Sequence, residues 1–383
     1  MRIALVVYRD DPSAGGSLRV GQLLAQYLPR LGVQAQLVVA YGPPGQIGAT
    51  LPVRPRYLDA GSAMDRRAWF STRRWFTTQR FDLIHFIDPV NWIHAATLGL
   101  PCKRVEHYHG RPIPETMSKR NNLLGILKRW TSNAAIAISE GAKQTAVRIG
   151  WMPADRVHVV YNGVDVTHFQ ERPTAAQARK QLGLPADVLL GGMVARLTEG
   201  NGVLEVVKVL ERLPHHWHLV LVGDGPLRSA VEEQTRTANL SHRLHFTGAL
   251  SDVRPAYAAL DTVLFLARYQ PFCLMLAEAM LCRVPIVGLQ GAGEYTEAAY
   301  PLITRENAKL IPRQNPWDWN SVEPAESYDK VASAMVEAGS RSPAVLAQVD
   351  TAESWVATRF TAEQQAFHTM QAYTSIMRTA SRS

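Results

Sequence analysis

The chain has few cysteines and no long apolar run. Only three of its 383 residues are cysteine, Cys102, Cys273 and Cys282, which is too few for a disulfide framework or a cysteine-rich metal site. This usage fits a reducing compartment. No stretch approaches the roughly 18 uninterrupted apolar residues of a spanning helix, and the apolar run Ile3–Tyr8 is too short for a signal-peptide core. The sequence predicts a cytoplasmic protein, with peripheral association on the inner face of the cell membrane left open.

Several motifs of common enzyme classes are also missing. The chain has no Walker A, HExxH or GxSxG motif. The sequence therefore does not support a P-loop NTPase, a zinc protease of this type or a serine hydrolase. His107 and His109 alternate on one predicted strand, but two imidazoles are weak evidence for a metal site. We therefore expect no metal and no other cofactor.

Charge is distributed unevenly along the chain. Residues 1–170 hold 21 Lys+Arg against 11 Asp+Glu, whereas residues 171–383 hold 20 against 22. The overall composition, 46% hydrophobic and 19% charged, is that of a globular protein and excludes a disordered chain. Such an asymmetry indicates that the two halves meet different partners. Nucleic acid is not expected among them, because no recognition motif accompanies the positive charge.

Short apolar runs alternate with amphipathic stretches through the whole chain. Residues 2–8 predict a buried strand and Ser17–Leu31 a helix, and the alternation resumes at residues 188–195. This order is typical of parallel, doubly wound α/β sheets. With a length above that of one core, it predicts two Rossmann-like domains, at 1–170 and 171–360. A single long helix is expected over Ala352–Thr379, with its part from about 360 to 383 packing back on the first domain.

Two segments at predicted strand ends could hold a ligand. Gly15-Gly16 precedes a predicted helix, where backbone N–H groups and the helix dipole favour an anion, although a plain tight turn explains it equally well. Its spacing is not G-x-G-x-x-G, so a nicotinamide dehydrogenase is poorly supported. Glu278 lies on an apolar helix predicted at 272–281. Its carboxylate either accepts hydrogen bonds from ligand hydroxyls or forms an ion pair in the core.

The order of these loops resembles that of the retaining glycosyltransferases of family 4, which have the GT-B fold of two Rossmann-like domains and an interdomain cleft. Each motif alone is weak, but together they cover nearly the whole chain. They are GGxxR at 15–19, DxIH at 82–85, HG at 109–110, SE at 139–140, NGVD at 162–165, RL at 196–197, GDGP at 223–226, FTG at 246–248 and QPFC…EAM at 270–280, which occupies the place of the family's E-x-F-G…E-A-M signature.

The resemblance implies an activity and a set of site residues. The activity is transfer of a sugar with retention, from a UDP-sugar or alternatively a GDP-sugar to a glycan or lipid-linked acceptor in polysaccharide or glycoconjugate synthesis. No metal is implied, because protein cations face the leaving diphosphate. The implied catalytic residues are His109, Gln270 and Glu278. The implied nucleotide-sugar-binding residues are Gly15, Gly16, Arg196, Asn201, Gly248, Phe272, Cys273, Leu274, Met275 and Glu278.

Two positions depart from the family pattern. Asn201 stands where the family commonly has a lysine that contacts the diphosphate, and Gln270 replaces the first glutamate of the signature. Gln270 can hydrogen-bond a sugar hydroxyl but cannot supply negative charge. A different donor geometry, a slow enzyme and a non-catalytic nucleotide-sugar-binding homologue or partner subunit therefore stay open.

The first half also contains two basic stretches interleaved with aromatic residues. In the family the first domain receives the acceptor, so these stretches could hold an anionic, membrane-borne acceptor or meet an anionic membrane surface. Alternatively, the aromatic rings pack the helices while the cations stay solvated. The residues concerned are Arg66, Arg67, Trp69, Arg73, Arg74, Lys119, Arg120, Lys128 and Arg129.

Overall fold

The chain folds into two compact units, Met1–Val164 with Thr361–Ser383, and Asp165–Phe360. The structure is a computed structural model that describes residues 1–11, 15–45, 51, 54–110, 128–268, 272–290, 302–304, 306–314 and 322–378. Within these ranges no helix combines the length and the apolar character that crossing a bilayer requires.

The first unit is built on a parallel sheet in the order β3-β2-β1-β4-β5-β6-β7. Its central strands are almost completely buried, as expected for a sheet covered on both faces. The strands are β1 (Arg2–Arg9), β2 (Gln34–Tyr41), β3 (Arg56–Tyr57), β4 (Leu83–Phe86), β5 (Lys103–Tyr108), β6 (Ala134–Ala137) and β7 (Val157–Val159).

Helices connect successive strands of this sheet. Helix α1 packs closely on β1, because a Cβ on Gly21 would come within 2.7 Å of the Val7 side chain. The helices are α1 (Gly16–Tyr27), continued by a 3₁₀ turn at Leu28–Leu31, α2 (Arg66–Gln79), α3 (Asn91–Ala96) and α4 (Glu140–Arg148).

The second unit repeats the design with a parallel sheet in the order β10-β9-β8-β11-β12-β13. Its helices are α5 (Val166–Gln170), α6 (Ala175–Leu182), α7 (Glu205–Leu210), α8 (Arg228–Thr237), α9 (Arg254–Ala259), α10 (Leu274–Leu281), α11 (Ala325–Gly339) and α12 (Pro343–Arg359). Its strands are β8 (Leu189–Val194), β9 (Trp217–Val222), β10 (Leu244–Gly248), β11 (Thr262–Phe265), β12 (Ile286–Gln290) and β13 (Lys309–Pro312). Two parallel-sheet, Rossmann-like domains confirm the fold class expected from the alternating pattern.

The prediction of one C-terminal helix over Ala352–Thr379 is wrong. Helix α12 ends at Arg359, and a separate helix, α13 (Ala362–Arg378), follows it. Phe360 leaves helical geometry with φ −129° and ψ 47°. Thr361 then starts α13 with a capping box, in which Gln364 N donates to Thr361 Oγ1 and Thr361 N donates to Gln364 Oε1, both at 3.2 Å. Sequence inspection missed this T-x-x-Q signal.

Helix α13 is part of the first unit, and its first turn is hydrogen-bonded to the NGVD motif at 162–165. Gly163 N donates to Gln365 Oε1 at 3.0 Å, and Ala362 N donates to Val164 O at 2.9 Å. A Cβ on Gly163 would lie 2.3 Å from the carbonyl oxygen of Thr361, so only glycine permits this approach. Adding α13 to the first unit raises its count to 23 Lys+Arg against 11 Asp+Glu, whereas Asp165–Phe360 holds 18 against 22.

Candidate functional site

Glu278 is a buried carboxylate on α10 of the second unit. Only 8% of the residue is exposed, and the rest of the helix is apolar. Its Oε2 accepts a hydrogen bond from the Tyr257 hydroxyl at 2.9 Å. Burial and the neighbouring Glu278 charge raise the pKa of Tyr257 well above its usual value, so the phenol remains a donor. This partner of Glu278 is thus a neutral hydroxyl, and a carboxylate can accept hydrogen bonds from more than one donor at a time.

Tyr257 was not found by sequence reasoning. It lies on α9, 21 residues before Glu278, and no local pattern links the two positions. The two helices meet only through the fold of the second unit.

The start of α10 supplies backbone N–H groups close to Glu278. Cys273 occupies the N-cap position without a side-chain hydrogen bond, and Leu274 and Met275 in the first turn are half-buried. The thiol is not a nucleophile here, because burial raises the pKa of Cys273 to about 12. Phe272 is buried and its ring centroid lies 5.5 Å from that of Phe360. An uncapped helix start of this kind suits phosphate oxygens.

Arg196 lies exposed in the loop that follows β8. The backbone of the GDGP turn packs directly against the backbone of this loop. A Cβ on Gly223 would lie 2.0 Å from the Ala195 carbonyl oxygen, and a Cβ on Gly225 would lie 2.5 Å from the Leu197 carbonyl oxygen. Leu197 N also donates to Asp224 O at 3.0 Å. The glycines of GDGP therefore position Arg196 by allowing backbone to approach backbone.

Asn201 serves the same loop. Its Nδ2 donates to the Arg196 carbonyl oxygen at 2.8 Å and to Thr198 Oγ1 at 3.3 Å. The amide thus fixes the loop's curvature, whereas the lysine common in the family would extend a cation. Gly248, one of the residues expected to bind the nucleotide-sugar, has φ +73°, and its carbonyl oxygen accepts a hydrogen bond from Gly223 N at 2.9 Å.

A buried ionic network underlies the Arg196 loop and was not anticipated from the sequence. Glu205, at the start of α7, pairs with Arg268 at 2.9 Å and with Arg313 at 2.8 Å. Arg313 also lies 3.4 Å from Glu323. Arg268 N donates to Gly200 O at 2.9 Å, which ties the network to the loop. Because the two arginines of this network are paired with two glutamates, we assign the network a structural role in supporting the Arg196 loop.

In the first unit, Gly15 and Gly16 are exposed at the start of α1. Gly15 has φ +79°, a conformation that favours glycine, and it caps the helix without a side-chain hydrogen bond. The first-turn N–H groups of α1 consequently have no side-chain cap, as at α10.

His109 follows β5 in the same unit. Its Nε2 lies 2.9 Å from the Ile87 carbonyl oxygen, which fixes Nε2 as the protonated nitrogen. Burial lowers the pKa of His109, with an opposing contribution from Asp88. The ring is therefore neutral near pH 7, with Nδ1 as a hydrogen-bond acceptor.

The basic residues of the first unit fall into two groups. Arg66, Arg67 and Arg74 are exposed on α2, whereas Arg73 is tied to the end of α3 by bonds to the carbonyls of Ala96 and Leu98, both at 2.9 Å. Trp69 is half-buried, and its indole donates to the Ala63 carbonyl at 2.8 Å.

Lys128 does not have the surface position expected from the sequence. It is buried, and its Nζ pairs with Glu106 Oε2 at 2.7 Å. The Lys128 charge holds the pKa of Glu106 down, to about 2, against the desolvation that raises it. Arg129 is half-buried and donates to the Gly150 carbonyl at 3.3 Å. Lys119, Arg120 and Gln270 lie outside the residues that the structure describes.

In the described part of the chain, no group of three or more His, Cys, Asp or Glu side chains is arranged to hold a metal ion. His107 and His109, weighed as metal ligands, instead stack with ring centroids 4.4 Å apart.

Comparison with known proteins assigns both units. The family model described as Glycosyltransferase Family 4 matches residues 14–168, and the model described as Glycosyl transferases group 1 matches residues 175–311. Anabaena HepE in complex with UDP-glucose is a similar solved structure, with a TM-score of 0.79, 20% identity, and coverage of 98% of this chain and 100% of that one.

Two curated relatives align with about half of the chain. The D-inositol 3-phosphate glycosyltransferase of Xylanimonas cellulosilytica is 32% identical over 225 residues, 55% of this chain and 52% of that protein. The uncharacterized glycosyltransferase MJ1607 of Methanocaldococcus jannaschii is 26% identical over 224 residues, 54% of this chain and 57% of that protein. The alignments thus span little more than half of these relatives. Through its two family domains and its two Rossmann-like sheets, the chain belongs to the family 4 glycosyltransferases of GT-B fold.

Proposed function

We propose that this glycosyltransferase moves a sugar, with retention, from a UDP-sugar to a glycan or lipid-linked acceptor. The observation that carries the proposal is Glu278, a buried carboxylate held by Tyr257 beside the uncapped start of α10. A carboxylate suits the two ribose hydroxyls, and helix N–H groups suit a diphosphate. UDP is favoured over GDP because the structurally similar HepE binds UDP-glucose.

Charge on the leaving diphosphate is met by protein groups in this proposal. Arg196 supplies a guanidinium, and the start of α10 in the same unit supplies N–H groups, so that the negative charge developing on the leaving group is stabilised. We further propose that His109 contacts the transferred sugar as a neutral acceptor and that transfer needs no metal.

Calorimetry with UDP, GDP, ADP and CMP tests the proposal directly. We expect UDP to bind most tightly, and the binding to persist in EDTA. Incubation with UDP-sugars, followed by NMR of the released or transferred sugar, should then show a retained anomeric configuration. Absence of binding by every nucleotide would refute a donor site in the second unit, and an inverted product would refute retention.

A non-catalytic nucleotide-sugar-binding homologue or partner subunit is the second candidate. It is favoured by Asn201, whose amide is committed to the Arg196 loop where the family commonly has a lysine. UDP binding without donor hydrolysis, and without transfer to any glycan or lipid-linked acceptor, would select it over the enzyme.

The acceptor is proposed to be anionic or membrane-borne. The first unit carries the whole positive excess of the chain, and the relative from Xylanimonas is named for an acceptor that bears a phosphate. On α2, exposed Arg66, Arg67 and Arg74 surround Phe70, which is 77% exposed. Cations around an exposed ring suit an anionic bilayer surface.

Vesicle co-sedimentation tests this surface. Replacing Arg66, Arg67 and Arg74 by alanine should weaken binding to phosphatidylserine-containing vesicles roughly 100-fold at low salt, at about 1 kcal/mol per cation. The matched control replaces Arg236, Arg341 and Arg359, three exposed arginines of the second unit, and should change binding little. Equal binding of the wild type to neutral and anionic vesicles would contradict the proposal, because screening and charge would then be irrelevant.

A further inference from the structure

A series of buried rings connects α13 to His109 within the first unit. The Tyr373 hydroxyl lies 2.7 Å from His85 Nδ1, and His85 Nε2 lies 3.0 Å from His107 Nδ1. The His107 ring stacks on His109 with an interplanar angle of 19°. Tyr373 and His85 are completely buried, and His107 is 8% exposed. None of these three side chains has a role in the transfer proposed above.

The direction of the hydrogen bonds follows from the number of groups left unpaired. If Tyr373 donates to His85, then His85 Nε2 donates to His107 Nδ1, and only the His107 Nε2–H lacks a partner among the described residues. If instead His107 donated to His85 and His85 donated to Tyr373, the phenol proton and the His107 Nε2 lone pair would both lack a hydrogen-bond partner among the described residues. Because each buried group without a hydrogen-bond partner costs free energy, Tyr373 is the donor and both histidines carry their protons on Nε2.

This order leaves the histidines uncharged. Burial lowers the pKa of His85 to about 3 and that of His107 well below its usual value. A charge on His109 would lower the pKa of both rings further. Two carboxylates act in the opposite direction on the pKa values of these rings: Glu106 raises that of His85, and Asp88 raises that of His109.

We propose that Tyr373, His85 and His107 are positioning residues that hold the His109 ring in one plane, while the Ile87 carbonyl fixes its Nε2–H form. A hydroxyl on α13 thereby contributes to the orientation in which His109 meets a ligand. The proposal rests on the proposed function only in that His109 contacts the transferred sugar; its geometric part concerns the free protein.

The test is NMR of the histidine rings, whose ¹⁵N shifts report tautomer and protonation. In the wild type, His109, assigned by its loss in His109→Gln, should stay in the Nε2–H form from pH 6 to 8. In Tyr373→Phe the ring stays but the donor to His85 is lost, so His85 and His107 should become tautomer mixtures and the ring signals of His109, which stacks on His107, should shift and broaden. Identical His109 signals in both proteins would overturn the proposal.

Kinetics give a second readout. Tyr373→Phe should lower kcat roughly 10-fold to 100-fold, as expected for a misplaced contact, while the Kd for UDP alone stays within about twofold. Tyr27→Phe, which removes the hydroxyl of another buried tyrosine of this unit, should change neither the His109 signals nor kcat. A fall in kcat of equal size in Tyr27→Phe would contradict a specific role.

The test separates this inference from the proposed function. If the wild type binds no nucleotide, the proposed function fails while the ring spectra still decide the positioning. If Tyr373→Phe does not fold, the wild-type spectrum decides alone, since a mixed or Nδ1–H tautomer at His85 or His107 overturns the inference.

Discussion

Glu278→Ala is expected to weaken UDP binding about 100-fold or more and to abolish detectable transfer. Two hydrogen bonds from ribose hydroxyls to a carboxylate would be lost, each worth about 1.5–3 kcal/mol. Glu278→Gln should lose less, because the amide oxygen still accepts but carries no charge. Calorimetry with UDP measures both variants. Exposed Glu232→Gln, which removes one carboxylate of the same unit paired with Arg228 at 2.9 Å, should bind UDP normally.

Nucleotides that lack ribose hydroxyls make this test specific. In the wild type, 2′,3′-dideoxy-UDP should bind much more weakly than UDP, because Glu278 loses its donors. In Glu278→Ala the two nucleotides should bind nearly equally, since the interaction is already absent; this is the logic of a double-mutant cycle. A dideoxy penalty of the same size in both proteins would show that another group recognises the ribose.

Lowering the pH from 7 to 5.5 is expected to reduce the free energy of unfolding of the first unit by roughly 2–3 kcal/mol. Burial depresses the pKa of both His85 and His107 in the folded state, so their contribution is present above the unfolded pKa of about 6.5 and is lost as the pH falls. Each buried histidine that stays neutral in the folded state lowers the free energy of unfolding by about 1.4 kcal/mol for every pH unit below that value. Glu106 adds nothing in this window, because its pKa is lowered from 4.5 to about 2 and its contribution is lost only at lower pH.

Urea unfolding with pulsed hydrogen exchange measures this effect, since peptides from β4 and β5 report on the first unit alone. His85→Asn should be less stable at pH 7 but less sensitive to pH, by about 1.4 kcal/mol per pH unit. Replacing exposed His368 by Asn should leave the pH dependence unchanged. A wild-type stability that is flat between pH 7 and 5.5 would mean that the buried histidines already take up protons in the folded state.

The sequence by itself determined the architecture and most of the motif positions. Continuous apolar runs such as Ile3–Val7 are typical of strands buried on both faces of a covered parallel sheet, and their alternation with amphipathic stretches leaves few other topologies. Glu278 was recognisable because a carboxylate among apolar residues requires a reason. Both signals depend only on residues that are neighbours in the sequence, so the sequence alone is enough to recognise them.

Only the tertiary structure decided which of these residues share partners. It placed Tyr257 against Glu278, buried Lys128 against Glu106, and committed the Asn201 amide to the Arg196 loop. It also divided the predicted C-terminal helix and joined Tyr373 to His85, 288 residues apart. Such contacts depend on which elements pack together, and neither hydrophobic periodicity nor motif spacing encodes the side-chain pairs that packing creates.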